Sequence, residues 1–185
     1  MISESIVWWG LAATLLFWSV GAYNRLVRLR SHASRMFAAL ALLLQRYGEV
    51  LDSCGMAKPG ELRAEEVHTL SSAQLQAWAS LYDAQAQFSA SLLVARTRPL
   101  DGAAIGALGA ADQVLQMAWH RLVAEIAPDS AGLEGLRPQW DDVHHQVRHA
   151  SLVFAQAIQN YNHAIHQFPA VLLAWLFGFH AAKSL

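Results

Sequence analysis

Over most of the chain, apolar residues recur in alternating steps of three and four, the spacing of one face of an α-helix. The first series reads Leu26, Leu29, Ala33, Met36, Leu40, Leu43, Tyr47 and Val50. It predicts a seam packed against other helices. No breaker separates it from the uncharged run before it, so one continuous helix is expected to about Leu51, stopped by the turn from Ser53 to Gly60. A second helix is expected from about Glu61 to Arg96, with Val67, Leu70, Leu81, Phe88 and Leu92 on its apolar side, ended by Thr97-Arg98-Pro99. Asp101 can cap a third, which carries Leu108, Ala111, Leu115, Ala118 and Leu122 up to Pro128. The fourth series is the longest: Leu133, Leu136, Trp140, Val143, Val147, Ala150, Phe154, Ala157, Tyr161, Ala164 and Phe168, closed by Pro169.

The run from Ser5 to Asn24 has 20 residues and no charge. At about 1.5 Å per residue it reaches roughly 30 Å, the thickness of a bilayer's hydrocarbon core. Trp8 and Trp9 at one end and Tyr23 at the other fall where amphipathic rings favour the headgroup levels. The residues before it include Glu4 and no Lys or Arg, which argues against a cleaved export signal. Arg25, Arg28, Arg30 and Arg35 follow directly, so the positive-inside rule expects the N-terminus outside and the body in the cytoplasm, in a bacterium at the inner membrane. The same arginines suit the anionic cytoplasmic leaflet.

Short connections make sequential helices antiparallel, which brings the end of helix four back to the bilayer. There the apolar stretch from Ala170 to Phe179 is too short to span. Either it folds onto the base of the bundle, or, as the favoured reading, it touches lipid or a neighbour's anchor with Trp175 and Phe179 buried there. The fold class expected is all-α: an N-terminal transmembrane helix continuous with a long antiparallel four-helix bundle, plus a short apolar C-terminal helix near the membrane. The expected divisions are an outer tip at 1–5, the anchor at 6–24, a cytoplasmic bundle at 25–169 and a membrane-proximal tail at 170–185.

Composition narrows the function. Thirteen Lys and Arg against 14 Asp and Glu leave a formal charge of −1, which offers no broad positive field for nucleic acid. A single cysteine, Cys54, cannot form an internal disulfide. Nine histidines raise a metal hypothesis. A di-iron bundle needs two Glu-Xaa-Xaa-His motifs and two further inward Glu, whereas one such motif, Glu65 to His68, is present. With Leu133 at heptad position a, His145 and His166 fall at f, His149 and His163 at c and His144 at e, so most face away from the seam. Asp142, His145 and His149 could at most form a surface site. The glycines between Gly102 and Gly109 follow no strand and lack phosphate-loop spacing, and no Ser, Thr or Cys sits in a nucleophile context. No cofactor, metal or catalytic residue is expected.

Two terminal segments are similar to a known family. Tyr23-Asn24-Arg25-Leu26-Val27-Arg28-Leu29-Arg30 after an N-terminal span resembles the start of the bacterial LemA family, and Asn160 to Pro169 followed by Phe177-Gly178-Phe179 resembles its C-terminal signature. Glu125 and Pro128-Asp129 sit where the family carries an acidic-to-Pro-Asp stretch, and Arg46 resembles an arginine late in its first helix. Phe154-Ala155 and Ser151 depart from it. The resemblance, to a divergent member, implies a single-pass anchored bundle with a cytoplasmic body and a role in envelope or membrane organisation.

Tyr161 and Phe168 are expected on the seam as core residues. Asn24 and Asn162 each follow a Tyr at a membrane-proximal level, although Asn is a poor helix former. The Tyr23-Asn24 and Tyr161-Asn162 pairs are therefore expected to hydrogen-bond at the base of the bundle, within a chain or between protomers. The expected function is a non-enzymatic scaffold whose partners are the lipid bilayer, further copies of itself and a membrane protein. The alternative is an accessory subunit of a membrane enzyme such as a protease.

Overall fold

The computed structural model describes residues 2–53, 71–126, 135–168 and 170–184, with side chains from residue 8 onward except at 11 and 12. Among the described residues there are five helices: α1 (Ile2–Ser53), α2 (Ser72–Thr97), α3 (Gly102–Glu125), α4 (Leu136–His166) and α5 (Ala170–Phe177). The 52 residues of α1 are unbroken, as the absence of a breaker predicts, and reach about 78 Å at 1.5 Å per residue.

Local chemistry sets the helix ends. Ser71 and Gln74 form a reciprocal capping box at the start of α2: the Gln74 N–H donates to Ser71 Oγ at 3.2 Å and the Ser71 N–H to Gln74 Oε1 at 2.9 Å. The expected stretch of this helix before Ser71, with Val67 and Leu70, lies outside the described residues, as do Leu133 and Pro169. Asp101 caps α3 as expected, accepting from the Ala103 N–H at 2.9 Å. α5 ends on Gly178 at φ +68°, where the Phe179 N–H reaches back to the Ala174 carbonyl at 2.9 Å. Only glycine enters that left-handed turn without strain.

α1 packs along α4 and α2 along α3, each pair antiparallel, and one apolar core joins the pairs. Buried residues on α1 begin at Leu26 and continue through Ala33, Phe37, Leu40, Leu44, Tyr47 and Leu51. Tyr47 and Trp140 link the elements, with ring centroids 4.7 Å apart, Tyr47 against Phe88 of α2 at 6.0 Å, and Trp140 stacked on Trp119 of α3 at 4.3 Å. At Gly48 the end of the Gln85 side chain of α2 fills the space a Cβ would take, 2.8 Å from its Nε2.

Phe168 departs from the expectation of a core seam. α4 ends at His166, Gln167 is extended, and Phe168 is exposed and meets Trp18 at 5.5 Å between ring centroids. A residue before proline is steered out of the α region by the ring's Cδ, which ends the heptad one step early. Among the described residues no helix is long and apolar enough to cross a membrane. Ile6, Val7 and Leu11 of the uncharged run lie outside the described side chains.

Candidate functional site

The end of the bundle nearest the uncharged run gathers most of the residues singled out in the sequence. α5 lays Ala170 and Ala174 against α1 and α4 and turns Leu172, Trp175, Leu176 and Phe177 outward. After the turn at Gly178 the chain is held against α4 at Tyr161 and Asn162. The Tyr161 hydroxyl donates to the His180 carbonyl at 3.1 Å, and Asn162 grips Ala182 twice, its Nδ2 donating to the carbonyl at 2.8 Å and its Oδ1 accepting from the N–H at 2.9 Å. On the α1 side, Tyr23 meets Phe177 and Phe179 at ring centroid distances of 5.0 and 6.1 Å, and the Arg30 guanidinium lies 5.8 Å from the Phe179 ring. Arg25 Nη1 donates to Gln167 Oε1 at 3.4 Å.

Tyr23, Tyr161 and Asn162 thus converge on one C-terminal strap. Asn24 does not: it is exposed, and its side chain makes no hydrogen bond among the described residues. Asn162→Ala should therefore cost about 1–2 kcal/mol, read as a lower melting temperature and faster proteolysis of the C-terminal segment. Asn24→Ala should change stability by less than about 0.5 kcal/mol. Equal effects of the two would contradict this assignment.

Charge is divided along the long axis in a way the net value conceals. The strap end carries Arg25, Arg28, Arg30, Arg35, Arg96, Arg98 and Lys183 against Asp101 alone among the described carboxylates. The far end carries Glu49, Asp52, Asp83, Glu125, Asp141 and Asp142 against Arg46, Arg121 and Arg137. The one ion pair among the described residues is the long contact between Arg98 and Asp101, at 3.9 Å.

A second polar group lies within the bundle. Tyr47 OH and His144 Nδ1 are 3.2 Å apart, and Gln116 Nε2 donates to Asp112 Oδ1 at 3.4 Å. Burial holds the Tyr47 phenol well above its ordinary range, nearby Asp112 adds to this, and Gln116 opposes it. Burial likewise raises the Asp112 carboxyl, with Gln116 and His144 opposing. At heptad position e, beside the seam, His144 turns inward rather than away from it. Asp112 has a signal in the sequence, as the only charge between Asp101 and Arg121.

A carboxyl whose pKa is raised by folding favours the fold when protonated. Its contribution is fully present below the unfolded value of 3.8 and is lost as pH rises through the higher folded value. Asp112→Asn should then raise the melting temperature at pH 7 and lose that advantage in acid below the ordinary Asp range. A variant less stable than wild type at pH 7 would contradict the burial cost.

Arg46 Nη1 donates to Gln146 Oε1 at 2.6 Å, and Gln146 Nε2 donates to Asp142 Oδ2 at 2.7 Å. These bonds link α1 to the histidine-rich face of α4. Among the described residues no three His, Cys, Asp or Glu side chains come together to hold a metal ion. Glu65 and His68 lie outside the described residues. In comparisons with family models, curated proteins and solved structures, nothing matches this chain.

Proposed function

We propose that this chain is a non-enzymatic scaffold anchored in the bacterial inner membrane by its N-terminal helix, with the bundle on the cytoplasmic side. One observation carries the reading: large apolar side chains, most of the exposed aromatics among them, stand uncovered most densely at one end of the molecule, directly below a cluster of arginines. Phe17 is 80% exposed, Trp9 78% and Trp175 85%, joined by Trp8, Leu15, Leu16, Leu172 and Leu176. Apolar area of this extent on a folded chain calls for a cover. A bilayer supplies it, with aromatic rings at the interface and cations among the headgroups.

The resemblance of both terminal segments to the LemA family supports the same reading, including the N-out orientation. In this account the apolar run crosses the bilayer, and α5, at about 12 Å of helix, lies in the interface. The scaffold is proposed to assemble with copies of itself or with a membrane protein through the anchor and the base of the bundle. Cross-linking in native membranes, followed by mass spectrometry of the products, tests the assembly. The expected result is a ladder of self-conjugates or a recurrent membrane-protein conjugate. Monomers alone would remove the scaffold role.

A further inference from the structure

A groove of about 380 Å³ opens at the base of the bundle, between α1, the turn joining α2 to α3, and the C-terminal strap. It is lined by Arg30, Ser34, Thr97, Arg98, Tyr161 and His180, with Phe179 at its edge. Arg30 comes from α1 and Arg98 from the α2–α3 turn, 68 residues further along the chain, so tertiary folding alone brings the two guanidinium groups to one concavity. Lys183 stands beside it, its stem within 3.3 Å of where a Cβ on Gly102 would lie.

The local charge is unbalanced. Asp101 is the one carboxylate lining the groove, and it meets Arg98 only at 3.9 Å. Among the described residues Arg30 and Lys183 have no ion pair. Two arginines from different elements, with Ser34 lining the same groove, match a group with several anionic oxygens. Arginine forks bind phosphate in this way.

Arg30 lies seven residues beyond Tyr23, about 10 Å along the helix axis. Tyr23, Phe177 and Phe179 form an aromatic layer below it. If that layer marks the interface, the groove stands at the height of lipid phosphates, and the apolar surface beneath it is placed to follow an acyl chain.

We propose that this groove is a binding site for the phosphate of an anionic phospholipid, held between Arg30 and Arg98. The inference rests on the membrane-anchor reading for its lipid source but makes a separate claim, because an anchor alone needs no headgroup preference. The site distinguishes headgroups by charge: a zwitterionic lipid brings its own cation to a concavity already rich in them.

The test is native mass spectrometry of the full-length protein in an uncharged maltoside detergent. It is titrated separately with dioleoyl phosphatidylglycerol, with the phosphatidylcholine of the same chains, and with inorganic phosphate. Wild type is expected to retain one phosphatidylglycerol in preference to phosphatidylcholine. Arg30→Gln combined with Arg98→Gln should weaken that binding at least about tenfold, while Arg121→Gln combined with Arg148→Gln at distant exposed sites leaves it unchanged. Circular dichroism checks the fold of each variant. Should the double variant unfold, Arg98→Gln alone, at a side chain 72% exposed, carries the test with a smaller expected loss.

Saturable binding of inorganic phosphate that is lost in the Arg30/Arg98 variant, without preference for the anionic lipid, would keep the phosphate site and overturn its lipid source. Equal retention of both lipids with no phosphate binding, or unchanged binding in the variants, would overturn the site. Carbonate extraction of the same wild-type protein from native membranes reports on the anchor independently. An embedded chain with no anionic preference defeats only the site, and an extractable chain that still selects phosphatidylglycerol defeats only the anchor.

Discussion

Replacing Trp140 with Ala is expected to lower the unfolding free energy of the bundle by about 3–5 kcal/mol, the usual range for truncating a buried large aromatic. Trp140 is 1% exposed and touches aromatic residues of two other helices, stacking on Trp119 with an interplanar angle of 14° and meeting Tyr47 at 4.7 Å. Truncation leaves a cavity where the α1–α4 and α2–α3 pairs join, and removes the ring contacts to Trp119 and Tyr47. Trp140→Phe should cost much less. It keeps an aromatic ring against Trp119 and removes an indole N–H that has no hydrogen-bond partner among the described residues. Chemical unfolding followed by Trp fluorescence measures both, and equal losses in the two variants would contradict the role given to the ring stack.

The second large effect concerns the membrane rather than the core. Leu15→Lys combined with Leu16→Lys should abolish stable insertion, since a charged residue costs about 2.5–3.5 kcal/mol at the centre of a spanning helix. Both leucines are exposed, so the substitutions remove little packing within the bundle. Leu42→Lys combined with Leu93→Lys places the same charge on equally exposed leucines of the bundle flank and should change nothing. After carbonate washing, the first pair is expected in the supernatant and the second in the membrane pellet. Identical partition of the two would count against a lipid environment for the N-terminal half of α1.

The arrangement of helices was legible from spacing because each heptad position in the bundle answers to one local rule. Leu26, Ala33, Leu40, Tyr47 and Val50 stand on the expected seam and are buried. Asp101 sits at the expected cap, and the continuity of α1 follows from a run with no proline. Phe168 was misplaced because heptad counting carried the seam to a residue that the following proline removes from the helix. The same counting turns most of the histidines away from the seam, but position e borders it, and the His144 imidazole reaches Tyr47 from there.

The base of the bundle was legible in part. Tyr23, Tyr161 and Asn162 drew attention through their position next to a presumed membrane level, and the strap brings them together. The partners of Asn162 are backbone atoms of Ala182, which no side-chain pattern could announce. The groove containing Arg30 and Arg98 was equally hidden, because its two arginines meet only after the α2–α3 turn returns to the base. Net charge hid the rest: a value of −1 over the whole chain gives no sign that, among the described residues, cations gather at one end.

The central claim is that the exposed apolar end of the molecule is covered by lipid. Single-cysteine variants in a Cys54→Ser background, carrying an environment-sensitive nitrobenzoxadiazole label at positions 16, 175 or 93 in lipid nanodiscs, test it most directly. The account predicts blue-shifted emission, quenched by spin-labelled acyl chains, at 16 and 175, and a water-like, unquenched label at 93. A label at position 16 as wet and as unquenched as the one at 93 would contradict it.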